Sequence, residues 1–252
     1  MKHIALRSMS VRNNANPYTT PGLGDRAHSI LMAYQYGKAH NTPVTIHLTS
    51  DKFGKQHKKV SWKELSEMTD GFVQYQDWPV CKLSEKEWLK YLKDQGIDAE
   101  IYYYKDTMSM HKDEKEEGIE ISQYLKELPC MDPIDCSSDL KLPNRFVTVQ
   151  WDSTDTARKP SPIRTHKLEQ DCRDNGLDIV VIGGQSKNPL LRDSLKHIGY
   201  AISKAQHHLG VDSGMTHLAQ FYKPWNKIHI WKPSYISHHF VRAQKNGAII
   251  IQ

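Results

Sequence analysis

The stretch of sequence that decides the fold is Gly210-Val211-Asp212-Ser213-Gly214-Met215-Thr216-His217-Leu218-Ala219. The short run before it, at 207–209, is interpreted as a buried strand. Four residues recur after it at the spacing of one helix face: Met215, Leu218, Ala219 and Tyr222. Ser213 is placed to cap this helix, and Gly214 lets the backbone turn tightly. Because the first amides of a helix lack carbonyl partners, the turn is predicted to bind a phosphate, although an ordinary strand–turn–helix joint would show the same pattern.

Composition excludes several classes of protein. The chain has 252 residues, which suits one large or two small domains. No apolar run approaches the length that spans a bilayer, and Met1 begins a strand-like segment rather than an export signal. A cytoplasmic protein with reduced thiols is therefore expected. The formal charge of +5 is spread along the chain, which favours a small anionic substrate over nucleic acid.

The sequence predicts no metal site. Its four cysteines form no C-x-x-C pair: Cys81, Cys130, Cys136 and Cys172. The adjacent histidines at 207–208 and at 238–239 point apart on either a strand or a helix.

Strand-like and helix-like segments alternate along the chain. In the first half, strands are predicted at 2–9, 44–48 and 71–75, with helices from 22–25 onward, at 61–68 and from Ser84 to about 96. In the second half, strands are predicted at 145–151, 178–182, 207–211 and 227–231, with helices at 164–175, along 195–205 and after Ser213. Residues 248–251 resemble one more strand. The alternation predicts parallel sheets with helices on both faces.

The stretch from Ile97 to Leu142 shows no clear pattern. Because residues 128–143 carry three prolines and two cysteines, they are interpreted as a connection between domains. The boundary is predicted near residue 142. In parallel sheets, ligands bind beyond the carboxyl ends of the strands, where Gly183 and Asp212 lie.

Two turns together resemble one family. The turn Gly22-Leu23-Gly24-Asp25, followed by a helix with His28-Ser29, resembles the N-terminal Gly-Asp turn of the heptosyltransferases of glycosyltransferase family 9. The run at 209–219 resembles their C-terminal Asp-Thr/Ser-Gly-x-x-His-Leu-Ala signature. The resemblance implies a GT-B fold, in which two Rossmann-like domains face a cleft. The acceptor-side domain would be 1–142, and the nucleotide-sugar-binding domain 143–252.

The resemblance also implies an activity. It is the inverting, metal-independent transfer of a sugar, heptose or similar, from a nucleotide-diphosphate donor to a hydroxyl of a glycan or other acceptor. The nucleotide-sugar is a substrate, and no cofactor is implied. A peripheral membrane contact is expected if the acceptor is a lipid-linked glycan.

Site residues follow from the resemblance, position by position. Asp25 matches the general base, with Gly22 and Gly24 beside it on the acceptor side. Asp212 matches the acid next to the pyrophosphate-binding turn, and Lys159 follows the 145–151 strand near a phosphate-contacting lysine, with Arg158 beside it. The donor turn matches a run of five residues: Ser213, Gly214, Met215, Thr216 and His217.

The chemistry of sugar transfer requires the same kinds of groups. A carboxylate can take the proton of an attacking hydroxyl while the anomeric carbon becomes an oxocarbenium ion. Amides and basic side chains can stabilise the departing diphosphate. Simpler structural explanations stay open: Asp25 as a helix-start acid, His217 as a residue that holds the turn, and Arg158 with Lys159 as a solvated loop.

Two other functions are compatible with parts of the sequence. The turn Gly22-x-Gly24-x-x-Ala27, with Asp51 after the next strand, fits the fingerprint of an NAD(P)-dependent oxidoreductase, although about a dozen loop residues separate it from the first strand. A non-catalytic nucleotide- or sugar-binding protein on the same scaffold is the second. The short chain and the unplaced region 97–142 also allow a degenerate or specialised transferase.

Overall fold

The structure is a computed structural model that describes residues 1–6, 23–49, 56–78, 85–103, 119–120, 131–153, 158–231 and 247–251. The chain divides into two compact units, Met1–Lys126 and Glu127–Gln252. Residues 131–142 pack on the second unit: the Met131 amide donates to the Phe221 carbonyl at 3.2 Å, and Asp139 contacts the His197 ring at 3.0 Å. The predicted boundary near residue 142 lies after this division.

The first unit is built around a parallel sheet. Its elements are β1 (Lys2–Leu6), α1 (Leu23–Ala39), β2 (Val44–Thr49), α2 (Gln56–Glu67), β3 (Val73–Trp78), α3 (Glu85–Asp94), β4 (Glu100–Tyr103) and β5 (Ile119–Glu120). The strand order is β3-β2-β1-β4-β5, and all described pairs are parallel. The strands β4 and β5 lie in the region for which the sequence predicts no clear element.

Apolar side chains fill both faces of this sheet. On one face, the buried stripe of α1 includes Ala27, Ile30 and Leu31, as the helical spacing predicts. On the other face, Trp88 and Leu92 of α3 pack on Ala5 of β1. Because successive side chains of a strand point to opposite faces, the same sheet can pack against a helix on each face.

One predicted helix start in this unit is wrong. The spacing of Ser61 and Glu64 predicts that a helix begins at Ser61, but α2 begins at Gln56, so Ser61 lies inside it. Gln and Lys upstream of Ser61 are good helix formers and extend the helix by a turn and more.

The second unit has a parallel sheet of its own. Its elements are β6 (Phe146–Gln150), α4 (Pro162–Asp174), β7 (Asp178–Val181), α5 (Pro189–Asp193), α6 (Leu195–Lys204), β8 (His207–Val211), α7 (Gly214–Ala219), β9 (Ile228–Trp231) and β10 (Ile249–Ile251). The strand order is β10-β9-β8-β6-β7, again with parallel pairs. The predicted strand near 248–251 is β10, an edge strand of this sheet.

The ends of α4 show why it forms where it does. Ser161 caps its start by accepting from the Arg164 amide at 3.3 Å, and Pro162 occupies the first turn, where its missing amide hydrogen costs nothing. Gly176, at φ 71°, follows the helix in the left-handed conformation that glycine tolerates. Among the helices in the described part, none combines the length and apolar character that crossing a bilayer needs.

A hydrogen-bonded chain of three aromatic side chains lies in the first unit. Trp78 Nε1 donates to His47 Nδ1 at 3.0 Å, so the neutral His47 ring carries its hydrogen on Nε2, which faces His3 Nδ1 at 3.0 Å. His47 is fully buried. Burial, followed by the proximity of His3, lowers the pKa of His47 from 6.5 to about 4.

The buried His47 is expected to make the first unit sensitive to acid. Between pH 6.5 and about 4, the unfolded chain binds a proton on His47 that the folded unit does not. The free energy of unfolding therefore falls as pH falls through this window, by up to about 1.4 kcal/mol per pH unit. Hydrogen exchange of the β2 amides across a pH series measures this slope. The variant His47→Gln is the control, and an equal slope in that variant would contradict the prediction.

Candidate functional site

The order in which strands are added to the second sheet reverses between β6 and β8. The chain goes from β6 to β7 on one side and then returns to place β8 on the other side of β6. In open α/β sheets, ligands bind at this kind of switch point, beyond the carboxyl ends of the strands. Gln150 and Gly210 are register partners there, so the residues that follow them, including Asp152 and Asp212, emerge at the same edge.

Ser213 does not cap α7 with its side chain, contrary to the prediction. It occupies the N-cap position with extended backbone, but its hydroxyl donates to Gln150 Oε1 at 2.5 Å. The Gln150 amide nitrogen in turn donates to the Asp152 carbonyl, which orients the Gln150 oxygen toward Ser213. The buried oxygen of Gln150 needs a donor, and satisfying it outweighs a cap at a partly exposed helix start.

Three of the predicted site residues meet at Asp212. The Asp212 side chain is buried, with 5% of its surface exposed. Arg158 Nη1 lies 3.3 Å from its carboxylate and donates to its backbone carbonyl at 3.2 Å. His217 Nε2 lies 3.8 Å from the other carboxylate oxygen. The structure therefore brings Arg158, Asp212 and His217 together.

The other residues of the donor turn take different positions. Gly214 opens α7, and both Gly214 and Met215 are partly exposed. Thr216 is fully buried, and its hydroxyl donates to the Val211 carbonyl at 2.6 Å, so this hydroxyl faces into the unit.

Lys159 contacts a different carboxylate. Its Nζ lies 2.5 Å from Asp152 Oδ1, and the two side chains are 35% and 40% exposed. This pair emerges at the carboxyl end of β6. Lys159 therefore adds a second, solvated cation to the sheet edge that holds Arg158.

Sequence reasoning missed Gln150, and it predicted Gly183 only by its place at the ligand-binding edge of the sheet. Gln150 is buried. The signal in the sequence that could have identified it is a polar residue at the end of a mostly apolar strand. Gly183, at φ 74°, lies where an added Cβ would be 3.4 Å from Gln150 Cγ and 3.5 Å from Met215 Cγ. The pair of glycines after the apolar strand β7 was visible in the sequence, but its contact with Gln150 was not.

Less of the predicted acceptor side is described. Gly24 and Asp25 lie in the first turn of α1, which follows β1, and β1 lies between β2 and β4, where the order of the first sheet reverses. The side chain of Asp25 lies outside the described residues, as do Gly22 and Asp51.

Comparisons with solved structures show what this fold resembles. The E. coli heptosyltransferase WaaC with ADP aligns at a TM-score of 0.53 and 11% identity, covering 99% of this chain and 93% of that one. The glycosyl transferase family 9 protein from Veillonella parvula aligns at a TM-score of 0.52 and 12% identity, covering 99% and 85%. The chain has the fold of the family 9 heptosyltransferases. The resemblance predicted from the two turns is therefore confirmed at the level of the fold.

A third structure covers a longer protein. The iron-containing dodecameric glycosyltransferase TibC from enterotoxigenic E. coli aligns at a TM-score of 0.50 and 12% identity, covering 94% of this chain. The chain spans 59% of the length of TibC. No family model matches this chain, and no curated protein sequence does.

TibC is described as iron-containing. Among the described residues of this chain, no group of three or more His, Cys, Asp or Glu side chains is arranged to hold a metal ion. Cys136 and Cys172 are free thiols, and burial raises the pKa of both.

Removing the cation beside Asp212 is expected to destabilise the second unit. Arg158→Met removes a cation from a buried carboxylate, which should cost about 1–3 kcal/mol of unfolding free energy. Arg192→Met is the matched control, because its partner Asp193 is exposed and such pairs contribute about 0–1 kcal/mol. Chemical denaturation of both variants measures the difference, and equal losses would contradict a structural role for Arg158.

Proposed function

We propose that the chain is a glycosyltransferase that moves a sugar, heptose or similar, from a nucleoside diphosphate to a hydroxyl of a glycan or other acceptor. The observation that carries the proposal is the Asp212–Arg158–His217 cluster at the β6/β8 switch point. It lies in a fold shared with proteins solved with ADP and with ADP-D-beta-D-heptose.

The second unit is the proposed donor side. Asp212 holds Arg158 at the turn while 31% of the arginine side chain stays exposed, which allows the guanidinium to contact a diphosphate. Lys159 supplies a second cation. The rest of the proposed donor site consists of Ser213, Gly214, Met215 and His217. Because α7 has only six residues, most of the positive potential comes from these side chains and the first amides rather than from a long helix dipole.

The first unit is the proposed acceptor side. Asp25 lies in the first turn of α1 beyond the switch point of the first sheet. Gly22 and Gly24, which carry no side chains, are the other acceptor-side residues of the proposal. The proposal includes a GT-B arrangement, in which the donor and the acceptor meet between the two units.

The proposed reaction uses these groups. The acceptor oxygen attacks the anomeric carbon from the face opposite the diphosphate, and Asp25 takes the hydroxyl proton. The bond between the anomeric carbon and the diphosphate oxygen breaks, and its electron pair leaves with the diphosphate, so the configuration inverts. Arg158 and Lys159 stabilise the developing charge, for which one well-aligned donor contributes roughly 3–4 kcal/mol. We propose that no divalent metal is needed.

Nucleotide binding tests the donor side. ADP or GDP is expected to raise the melting temperature in EDTA more than NAD does, because the terminal phosphate of ADP or GDP is free and carries additional negative charge, whereas both phosphates of NAD are esterified. Lys159→Met should weaken ADP binding about 10-fold, from the loss of one charge-assisted contact. Lys90→Met is the matched control, since Lys90 forms a similar exposed pair with Asp94 at 2.6 Å. Stabilisation by NAD alone would instead support an oxidoreductase.

Replacement of the proposed base tests the reaction. Asp25→Asn should lower turnover by about 100- to 10,000-fold, the range of general base catalysis, while ADP affinity stays near that of the unchanged protein. Turnover is measured with nucleotide-sugars and glycan acceptors, and Asp94→Asn in the exposed end of α3 serves as control. Normal turnover of Asp25→Asn would exclude it as the base, and binding without any turnover in the unchanged protein would favour a non-catalytic binding protein.

A further inference from the structure

We propose that His208 is a positioning residue that holds the donor turn. It does so within a series of hydrogen bonds that runs from Thr148 through His208 and Thr216 to the Val211 carbonyl. The inference rests on the proposed function, because the turn that it holds is the proposed donor site. His208 itself contacts no substrate in this proposal.

The protons in this series can be assigned one by one. The Thr216 hydroxyl lies 2.6 Å from the Val211 carbonyl, which can only accept, so Thr216 gives its proton there. Its contact with His208 Nε2, at 3.3 Å, then requires the imidazole to donate. The other ring nitrogen, Nδ1, is therefore an acceptor, and Thr148 donates to it at 3.1 Å. Each group has one role, which defines a single tautomer.

Burial makes this arrangement hard to replace. Thr148, His208 and Thr216 are all fully buried. Burial, followed by the nearby His229 and Lys223, lowers the pKa of His208 to about 3, so the ring stays neutral at the pH of a cell. In such surroundings, an unsatisfied polar group costs about 1–3 kcal/mol.

Gly210 is part of the same unit. A Cβ at this position would lie 2.6 Å from the Thr216 hydroxyl and 2.8 Å from His208 Nε2, closer than such atoms approach. Gly210 is on the same strand as His208 and two residues after it, so both face the same side of the sheet. The missing side chain of Gly210 gives Thr216 the space in which to reach His208.

The network fixes the turn at both of its ends. Val211 is the residue before Asp212, and Thr216 lies in the first turn of α7. Asp212, Ser213 and Gly214 therefore lie between two points that are bound to each other and to β6. Loosening either point would let Asp212 move relative to Arg158, and displacements of about 1 Å are enough to weaken a preorganised site.

The test compares two substitutions of Thr216 that differ in one hydroxyl. Thr216→Val keeps the shape and loses both hydrogen bonds, whereas Thr216→Ser keeps the hydroxyl. We expect Thr216→Val to weaken ADP binding about 10-fold and to speed hydrogen exchange of the amides at 212–216, while Thr216→Ser recovers most of both. Thr148→Val, at the other end of the hydrogen-bond network, should act in the same direction to a smaller extent. It covers the case in which Thr216→Val does not fold. Thr45→Val, in the first unit, is the control for a buried threonine.

Nitrogen-15 spectra of His208 give a second readout that needs no nucleotide. The expected result is a single Nε2-protonated tautomer that does not titrate between pH 8 and 5. Titration near the normal pKa of 6.5, or unchanged exchange at 212–216 in folded Thr216→Val, would overturn the inference. If the unchanged protein binds no nucleoside diphosphate, the proposed function fails, whereas exchange and nitrogen-15 spectra still decide the role of His208.

Discussion

The buried carboxylate of Asp212 is the constraint on which the proposed donor site depends. A carboxylate in a buried position is costly to keep ionised unless a cation and hydrogen-bond donors lie close to it. Arg158 supplies the cation from the segment after β6, and His217 adds an imidazole from α7. Two segments that are more than fifty residues apart are thereby held at one point of the sheet edge. A ligand at this edge would meet a positive group whose position is already determined.

Both units place their proposed chemistry at the same kind of position. In the first sheet, the order reverses between β1 and β4, and α1 begins beyond β1. In the second, it reverses between β6 and β8, and the turn at Asp212 begins beyond β8. Neighbouring strands whose connections leave toward opposite faces create an opening at their carboxyl ends. The fold therefore supplies two switch points, and we propose that the side chains beside them carry the chemistry.

Hydrogen bonds to buried polar groups, more than capping, set the shape of the donor turn. Ser213 bonds to Gln150 of the neighbouring strand instead of the helix start. Thr216 bonds back to Val211 and contacts His208. Such partners leave few alternatives, because a buried group that loses its partner cannot recover one from water.

The sequence by itself determined the parallel α/β class and most of the elements, because the periods of strands and helices are local properties of the chain. It also predicted the resemblance that the fold confirms, and a phosphate-binding turn at 210–219 that stays a prediction. Only the tertiary structure decided that Ser213 bonds to Gln150 across 63 residues and that β4 and β5 complete the first sheet. The physical reason is that hydrogen-bond partners and strand pairs of this kind are far apart in the chain, so no local pattern records them.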